Sequence, residues 1–512
     1  MLYWSHMEIF LYYSSRLVLD KVPILLIILE PILKGGNVMF YFEKEAASPL
    51  YQQLYEQLRQ QIMEGILPRG GKLPPTRELA AEYHLSRNTV IGAYQQLEIE
   101  GYVRSIVGSG YYVEDLHLFQ GFCHSEQTEG MPRKQVKKSD NLFDFYYGNL
   151  DYNCYRSKAW RRCLLDAYDW MATQNTVSYC DPQDLPELRE KLASYLHFSR
   201  GVRCCADQII LTNGHQHSLS LLARLFTNGS WKFAMEEPGY DGTRIVMQQY
   251  GFSPVPIPVE SDGISVAEAK RLSHTLLYIT PSHQFPMGSV LPIAKRLELL
   301  QWAAKSGSYI LEDDYDSELR YHSLPIPSLQ SIDNNERTIY MGTFSKSLSP
   351  DLRIAYLVLP RPLLEIYHSI FSHANCPASS LLQYALAQFF RSGEYQKHIN
   401  AMRSHYQKKH DYILNYFKEN LSERATLSGA DAGLHYIMTL HNGFRDAASI
   451  EEFEKNKIRI YSLSPFWTHQ SNCSANQFLL GYGSIPLVEL PLAMSAIRAV
   501  IEQIDRNDTP LR

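Results

Sequence analysis

A polar stretch from about Leu116 to Asn141 separates two blocks whose hydrophobic patterns differ, so the chain has to fold as at least two domains. The stretch includes the run Met131-Pro132-Arg133-Lys134-Gln135-Val136-Lys137-Lys138, which is typical of a solvated linker. Residues 39–115 alternate helical apolar patterns with turn residues, whereas residues 142–512 alternate strand and helical patterns. We therefore expect a small domain at 39–115, a linker at 116–141 and a large α/β domain at 142–512, with a mostly parallel sheet.

Residues 1–38 have an unusual composition, with a nearly continuous apolar run from Val22 to Leu33 that Glu30 and Pro31 interrupt. The run is too short and too interrupted to span a bilayer, and it lacks the clear marks of a signal peptide. We interpret residues 1–38 as a start assigned too early, with Met39 as the true start, or as a disordered extension. A membrane anchor is the alternative, and we expect no membrane association.

Charge and cysteine content limit the function classes. The net charge of −5 means that any binding of nucleic acid depends on a local basic surface. The eight cysteines form no CxxC pair, which favours scattered thiols in a reducing cytosol over a disulfide framework or a zinc site. We therefore expect a cytoplasmic protein without a bound metal.

The small block has the pattern of a helix-turn-helix followed by a hairpin. A first helix is predicted from the four-residue spacing of Leu50, Leu54, Leu58 and Ile62. Thr76 has the side chain of an N-cap for a second helix, and Ser86 can cap a third helix from Arg87 to Glu100. The predicted buried face of the third helix comprises Val90, Ile91, Tyr94 and Leu97. Two short strands around Gly108-Ser109-Gly110 predict a hairpin wing.

This arrangement favours DNA binding, because the second helix of such a motif enters the major groove with its N-terminal residues toward the base edges. Arginine suits guanine and asparagine suits adenine, since each can form a bidentate pair. Arg104, in the wing, can reach a phosphate. The alternative is a helical cap for protein interaction, with solvated arginines. The predicted DNA-binding residues are Arg77, Arg87, Asn88, Thr89, Arg104, Gly108 and Gly110.

Two strand ends in the large block carry residues with specific chemistry. Strand 208–211 runs into the turn 212–214, and a helix opens at His215, so free backbone N–H groups can face an anion such as phosphate. Strand 309–311 runs into the acidic run Glu312-Asp313-Asp314-Tyr315-Asp316. One acid there can hold a pyridinium nitrogen protonated. A carboxylate metal site and a solvated acidic loop are the alternatives.

A third strand end carries a lysine. Strand 338–340 leads into the small, hydroxyl-rich turn 341–346, which ends at Lys346, and Arg353 follows seven residues later. A lysine in this setting suits a Schiff base beside a phosphate clamp. The alternative is a lysine on a surface loop.

The small block resembles the GntR family of bacterial regulators. The matching phrases are Pro49-Leu50-Tyr51, Lys72-Leu73-Pro74-Pro75-Thr76-Arg77-Glu78-Leu79-Ala80, Ser86-Arg87-Asn88-Thr89-Val90, Glu100-Gly101-Tyr102 and Gly108-Ser109-Gly110. The large block resembles a fold-type-I aminotransferase, and its phrases are similar to those of the MocR-type subfamily of GntR regulators. They are Tyr179-Cys180-Asp181-Pro182-Gln183, Ser199-Arg200-Gly201-Val202, Thr212-Asn213-Gly214, Glu237-Pro238-Gly239-Tyr240, Thr280-Pro281-Ser282-His283-Gln284-Phe285-Pro286, Glu312-Asp313-Asp314-Tyr315-Asp316-Ser317-Glu318 and Gly342-Thr343-Phe344-Ser345-Lys346.

The resemblance implies a winged helix-turn-helix joined by a linker to a domain that binds pyridoxal phosphate (PLP), with a small C-terminal α+β subdomain. It implies that Lys346, the catalytic lysine of the aminotransferases, forms the Schiff base, that Asp313 pairs with the pyridine nitrogen and that Tyr315 lies near the ring oxygen. Tyr240 would stack on the ring. The phosphate would be held by Gly214, His215, Gln216, Thr343 and Arg353. Tyr179 would reach the phosphate of a neighbouring subunit, which implies a head-to-tail homodimer.

One departure bears on the ligand. Many aminotransferases carry an arginine that grips the substrate carboxylate at the position where this chain has Leu479, and leucine supplies no bidentate donor. Arg244 is a candidate substitute. Three functions stay open: a transcription regulator whose effector is PLP, a regulator whose effector is an amino acid or amine that reacts with PLP, and a working aminotransferase with an accessory DNA-binding domain. The expected partners are operator DNA and that small molecule.

Overall fold

The computed structural model describes residues 40–42, 48–115, 142–152, 157–173, 185–227, 229–321, 326–441 and 446–508. The predicted extension 1–38, the predicted linker 116–141 and Tyr179 lie outside the described residues. Contacts between residues divide the chain into two compact units, Met1–Val136 and Lys137–Arg512. Within the described ranges no helix is long and apolar enough to cross a membrane.

Three helices and a hairpin form the N-terminal unit. They are α1 (Leu50–Met63), α2 (Thr76–Glu82) and α3 (Arg87–Ile99), followed by the antiparallel strands β1 (Val103–Ile106) and β2 (Gly110–Val113). Leu54, Leu58 and Ile62 lie on one face of α1 and are buried in a core that α2, α3 and the hairpin share. The predicted winged helix-turn-helix is therefore confirmed.

Two local details of this unit differ from the prediction, although Ser86 caps α3 as expected by accepting a hydrogen bond from the Thr89 N–H at 3.0 Å. The hydroxyl of Thr76 does not cap α2, because Pro75 (φ −58°, ψ 136°) already holds the extended N-cap position and Thr76 is the first helical residue. On α3, Ile91 is half-buried and Ala93 is buried instead. The inward face of α3 therefore follows the helical spacing Val90, Ala93, Tyr94 and Leu97.

An eight-stranded sheet organises the large unit. Its strands are β4 (Ile209–Thr212), β5 (Lys232–Glu237), β6 (Val255–Glu260), β7 (Gly263–Ile264), β8 (Thr275–Ile279), β9 (Tyr309–Asp314), β10 (Thr338–Thr343) and β11 (Ala355–Val358). Their spatial order is β4-β11-β10-β9-β8-β5-β6-β7. The neighbouring strands β10, β9, β8, β5 and β6 are parallel to one another. At the edges, β7 pairs antiparallel with β6, β11 with β10, and β4 with β11. The predicted mostly parallel sheet is confirmed.

Helices flank this sheet on both sides, which explains why its central strands are buried on both faces. The helices are α4 (Lys158–Ala172), α5 (Pro186–Arg200), α6 (His215–Phe226), α7 (Asp241–Gln249), α8 (Val266–Ala269), α9 (Ile293–Ser306), α10 (Leu329–Ile332), α11 (Arg361–Phe371) and α12 (Ser380–Arg391). Every residue of β8 and β9 is buried. Burial on both faces is typical of parallel strands in α/β domains.

The C-terminal part of the unit is a smaller α+β subdomain, as the resemblance implies. Its elements are α13 (Glu394–Asn420), β12 (Ala425–Ser428), β13 (His435–Leu440), α14 (Asp446–Lys455), β14 (Ile458–Arg459), β15 (Tyr461–Ser462), β16 (Gln477–Gly481) and α15 (Leu490–Asp508). The antiparallel sheet order is β12-β13-β16-β15. A separate strand, β3 (Phe143–Asp144), pairs in parallel with β14.

Candidate functional site

Eight residues that the resemblance assigned to the cofactor line one cavity of about 330 Å³. It lies at the carboxyl ends of β8, β9 and β10, where parallel strands bring distant stretches of chain together. The eight are His215, Gln216, Tyr240, Asp313, Tyr315, Thr343, Lys346 and Arg353. Gly214 lies directly against Arg353, while Tyr179 is outside the described residues.

Asp313 presents an unsatisfied acceptor in this cavity. Its side chain is 5% exposed, its Oδ2 accepts a hydrogen bond from the Tyr278 hydroxyl, and His215 Nε2 lies 3.7 Å from the same oxygen. Its Oδ1 is buried and has no hydrogen-bond partner among the described residues. Burial raises the pKa of Asp313. A buried carboxylate with one free oxygen is costly unless a donor reaches it, and a pyridinium N–H is such a donor.

The acidic run around Asp313 is buried rather than solvated, so the interpretation as an exposed acidic loop is wrong. Glu312 accepts from the N–H groups of Leu329 and Gln330, at 2.6 and 2.8 Å. Each remaining acid has its own partner: Asp314 lies 2.7 Å from Arg200 Nε, and Asp316 lies 2.8 Å from His283 Nδ1.

The carboxylates therefore point to separate partners instead of converging on one point. Consistent with this, the described residues contain no group of three or more His, Cys, Asp or Glu side chains arranged to hold a metal ion.

Lys346 lies in the cavity, half-buried, and not on an open surface loop as the alternative had it. Its Nζ donates a hydrogen bond to the carbonyl of Tyr147 at 2.9 Å. Burial lowers the pKa of Lys346 to about 8, against the opposing effect of Asp316. The neutral, nucleophilic amine is therefore more abundant near neutral pH than in an ordinary lysine.

The opposite end of the cavity suits an anion. Gly214 has φ 83° and ψ 170° and precedes α6, whose first N–H groups have no partner within the helix. A Cβ on Gly214 would lie 2.5 Å from Arg353 Nη2, so only glycine lets the guanidinium pack against this turn. The hydroxyl of Thr343 bonds with Ser345 at 3.0 Å. The imidazole of His215 faces Asp313, so this residue offers an anion its backbone N–H.

Aromatic rings form the walls. Tyr240 makes edge contacts with His215 and Phe285, at centroid distances of 5.6 and 5.8 Å. The hydroxyl of Tyr315 lies 3.0 Å from His283 Nδ1. Burial raises the pKa of Tyr240 to about 12 and that of Tyr315 well above its usual value, so both phenols keep their protons.

Sequence reasoning missed the segment 143–151, which we call the arm. Tyr146, Tyr147 and Gly148 of the arm line the cavity. The arm is fixed to the C-terminal subdomain at its start by β3 and at its end by Asp151, whose Oδ2 accepts from the buried Lys409 Nζ at 2.7 Å. The available signal was the aromatic run Phe145-Tyr146-Tyr147, directly after the polar stretch.

Neither Leu479 nor Arg244 offers the cavity a guanidinium for a substrate carboxylate. Leu479 is fully buried in β16, in an apolar cluster with Phe285 and Phe466. Arg244 does not line the cavity; it donates to the carbonyl of Pro465 at 2.5 Å and lies 3.5 Å from the Thr468 hydroxyl. Among the described residues that line the cavity, the one arginine is Arg353, which lies at the anion-binding end.

The predicted DNA-contacting side chains are accessible on the N-terminal unit. Arg87 and Asn88 are exposed at the start of α3, whereas Thr89 is half-buried and its hydroxyl bonds with Ser86 at 2.8 Å. Arg77 on α2 and Arg104 on β1 are also exposed, the latter 3.5 Å from Glu114. In the wing, Gly108 and Gly110 have φ values of 78° and 117°, which explains the need for glycine there.

Two family models match the chain. Residues 50–113 match the model described as bacterial regulatory proteins, gntR family, and residues 142–457 match aminotransferase class I and II. The chain is similar to the HTH-type regulator YdeL of Bacillus subtilis, which has no assigned role (38% identity; 82% of this chain, 90% of YdeL). It is similar to the probable rhizopine catabolism regulatory protein MocR of Rhizobium meliloti (32%; 92% and 97%).

It is also similar to the pyridoxine biosynthesis regulator PdxR of Corynebacterium glutamicum (30% identity; 84% of this chain, 91% of PdxR). Among solved structures, a Pyrococcus horikoshii kynurenine aminotransferase in complex with PMP superposes with a TM-score of 0.65 at 21% identity, over 76% of this chain and 99% of that one. This likeness shows the fold alone: the large unit has the fold of the class I and II aminotransferases.

Proposed function

Since this chain belongs to the MocR-type subfamily of GntR transcription regulators, we propose that it binds PLP at Lys346 and changes its affinity for operator DNA in response to PLP or to an amine that reacts with PLP. The observation that supports the proposal is that one cavity contains three groups: Lys346, whose pKa is lowered, Asp313, which has an oxygen without a hydrogen-bond partner among the described residues, and the turn at Gly214, which suits an anion. Each suits a different part of the same small molecule.

The donors and acceptors fit PLP group by group. Asp313 Oδ1 would accept a hydrogen bond from the protonated ring nitrogen, and the Lys346 amine would be the nucleophile that faces the aldehyde. Tyr240 covers one ring face, and Tyr315 lies near the ring oxygen. The phosphate is held by the N–H groups of His215 and Gln216, the hydroxyl of Thr343, the turn at Gly214 and the guanidinium of Arg353. Bound PLP supplies a reactive aldehyde and a ring that accepts electrons.

DNA recognition belongs to the N-terminal unit. Arg87, Asn88 and Thr89 begin α3, so their side chains meet base edges when α3 lies in the major groove. Arg77 and Arg104 contact phosphates, and the wing turn at Gly108 and Gly110 lets the backbone approach the DNA.

The effector is PLP itself or a PLP-reactive amine or amino acid. The name of PdxR concerns pyridoxine biosynthesis and the name of MocR concerns rhizopine catabolism, so relatives support both classes. The apolar position of Leu479 and the engagement of Arg244 with Pro465 favour PLP over an ordinary amino acid, because neither residue offers a free guanidinium to a carboxylate.

The arm gives the ligand a physical route to the rest of the chain. Lys346 donates to the Tyr147 carbonyl, and the arm continues N-terminally into the predicted linker. With PLP bound, the Lys346 nitrogen would have to face the aldehyde instead of the Tyr147 carbonyl. The Tyr147 carbonyl would then lose this donor, and a shift of the arm is the change that we propose passes along the chain.

The working form is a head-to-tail homodimer, in which Tyr179 contacts the phosphate of the neighbouring subunit. Exposed apolar side chains on one face of α4, Leu165, Tyr168 and Met171, support a subunit contact. Sedimentation at micromolar concentration tests this part separately: we expect a dimer, and a monomer contradicts it.

A second candidate function is transamination, favoured by the Lys346 pKa of about 8, because a neutral amine can also move a substrate proton. Steady-state assays with a panel of amines and a keto acid distinguish the two. Ordinary turnover would make the chain a working aminotransferase that carries a DNA-binding domain.

The proposed function is tested by fluorescence anisotropy on DNA from upstream of the chain's own gene, with and without PLP and each amine. We expect the wild-type affinity to change with one of these ligands and the affinity of Lys346→Ala to stay constant. Lys305→Ala, a change in the last turn of α9, is the matched control and should respond as the wild type does. Equal DNA affinity under every condition contradicts the proposal.

A further inference from the structure

His283, which neither the sequence motifs nor the cavity lining assigns to the cofactor, occupies a central position behind the site. It is 2% exposed, and its Nδ1 lies 2.8 Å from Asp316 Oδ2 and 3.0 Å from the Tyr315 hydroxyl. Its Nε2 is buried without a hydrogen-bond partner among the described residues. Nδ1 therefore contacts both Asp316 and Tyr315, and whether Nδ1 carries a proton determines which atom donates in each of these hydrogen bonds.

The geometry assigns that proton. An ionised carboxylate only accepts hydrogen bonds, so a bare Nδ1 lone pair at 2.8 Å from Asp316 Oδ2 would be repulsive. With the proton on Nδ1, the ring donates to Asp316 and the Tyr315 oxygen can also accept from the same N–H. The Tyr315 hydroxyl then cannot donate to His283, and its own proton is directed elsewhere.

Space around His283 is closed, so it cannot turn to another partner. A Cβ on Gly433 would lie 2.5 Å from His283 Cε1 and 2.4 Å from Asp316 Oδ2, which shows how closely the backbone covers this pair. The ring of His435 lies 5.2 Å away, its Nε2 is bonded to the Pro286 carbonyl, and burial lowers its pKa to about 3, so it stays neutral.

We propose that His283 is the positioning residue that keeps Tyr315 a hydrogen-bond donor toward the ring oxygen of the bound cofactor. The inference rests on the proposed function, since it needs PLP joined to Lys346. A donor to that oxygen stabilises its negative charge, most when the neighbouring lysine nitrogen has lost its proton. His283 therefore lowers the pH at which that nitrogen is deprotonated.

The test is the pH titration of the absorbance of PLP-loaded protein, which reports that proton directly. His283→Leu should raise the midpoint by about one pH unit or more, the size expected for one hydrogen bond to a charged group. His283→Asn should keep the wild-type midpoint, because its amide nitrogen takes the place of Nδ1 and still donates to Asp316. His283→Gln lacks a donor there and replaces the leucine variant if that one does not fold.

Other charged and titratable groups also lie around the site: Asp313 and Asp316 around the end of β9, Lys346 after β10 and His435 on β13. Because each of them can affect the midpoint, a double-mutant cycle is needed to isolate the effect of His283 on Tyr315. Tyr315→Phe should raise the midpoint as His283→Leu does, and adding His283→Leu should shift it no further.

An unchanged midpoint in His283→Leu, additive shifts, or an asparagine variant that behaves like leucine would each overturn the inference. If the wild type shows no lysine-bound absorbance at all, the proposed function itself fails.

Discussion

Gly214→Ala adds one Cβ atom beside Arg353 and so tests whether this end of the cavity binds the phosphate of PLP. The φ of 83° and ψ of 170° lie in a region that is essentially restricted to glycine, where another residue costs about 1–3 kcal/mol. The added Cβ would also lie 2.5 Å from Arg353 Nη2 and 2.8 Å from its Cζ, so the guanidinium has to move. Backbone strain and the loss of Arg353 are separate effects and can be measured separately.

The expected loss of affinity follows from the bonds that Arg353 no longer makes. A hydrogen bond to a charged group contributes about 1.5–3 kcal/mol. At 1.4 kcal/mol for each factor of ten, PLP should bind about 10- to 150-fold more weakly. Measured without PLP, the protein should lose about 1–3 kcal/mol of unfolding free energy from the backbone alone.

Tryptophan fluorescence titration with PLP measures the affinity, and urea unfolding without PLP measures the stability. Gly307→Ala is the control, because Gly307 also has positive φ (65°) but nothing lies within 4 Å of its Cβ position. We expect this control to lose stability, by about 1–2 kcal/mol, and to bind PLP normally. Wild-type PLP affinity in Gly214→Ala would refute the placement of the phosphate against Arg353.

Three further predictions concern other parts of the chain. Lys409→Met should cost about 3–5 kcal/mol in urea unfolding, because it removes the fully buried ammonium that pairs with the buried Asp151. Lys270→Met, in an exposed ion pair with Glu298, should cost less than about 1 kcal/mol, and similar costs would contradict the anchoring of the arm. Because the pKa of Lys346 is lowered, the rate of lysine–PLP bond formation in stopped-flow absorbance should rise with pH and level off above about pH 8; a rise that continues to pH 10 contradicts this. Arg87→Ala should weaken operator binding by about 1–3 kcal/mol in anisotropy while PLP absorbance is unchanged, and wild-type affinity argues against groove placement.

Two predicted site residues that the structure brings to one cavity lie at strand ends. Asp313 is the next-to-last residue of β9 and Lys346 follows β10, and both strands could be recognised from short apolar runs. Because the carboxyl ends of parallel strands share one edge of a sheet, local patterns were enough to bring these groups to one cavity. The same reasoning located the turn at Gly214 and the cap at Ser86, both of which depend on neighbouring residues alone.

The contacts that the sequence could not predict join residues far apart in the chain. Lys346 and Tyr147 are separated by 199 positions, and Asp151 and Lys409 by 258. No periodicity or turn signal encodes such a pairing, since it depends on how the C-terminal subdomain packs against the sheet. The direction of the His215 side chain toward Asp313 has the same origin, because it depends on the register of β4 and β9 across β10 and β11.

The most direct test of the account is the absorbance spectrum of the purified protein with added PLP, recorded for the wild type and Lys346→Ala. In the wild type we expect an absorbance band near the edge of the visible range, and borohydride reduction should attach the cofactor to Lys346, as peptide mass analysis can show. Lys346→Ala should have no such band. The absence of the band in the wild type, or its persistence in Lys346→Ala, would contradict the claim that this cavity holds PLP through Lys346.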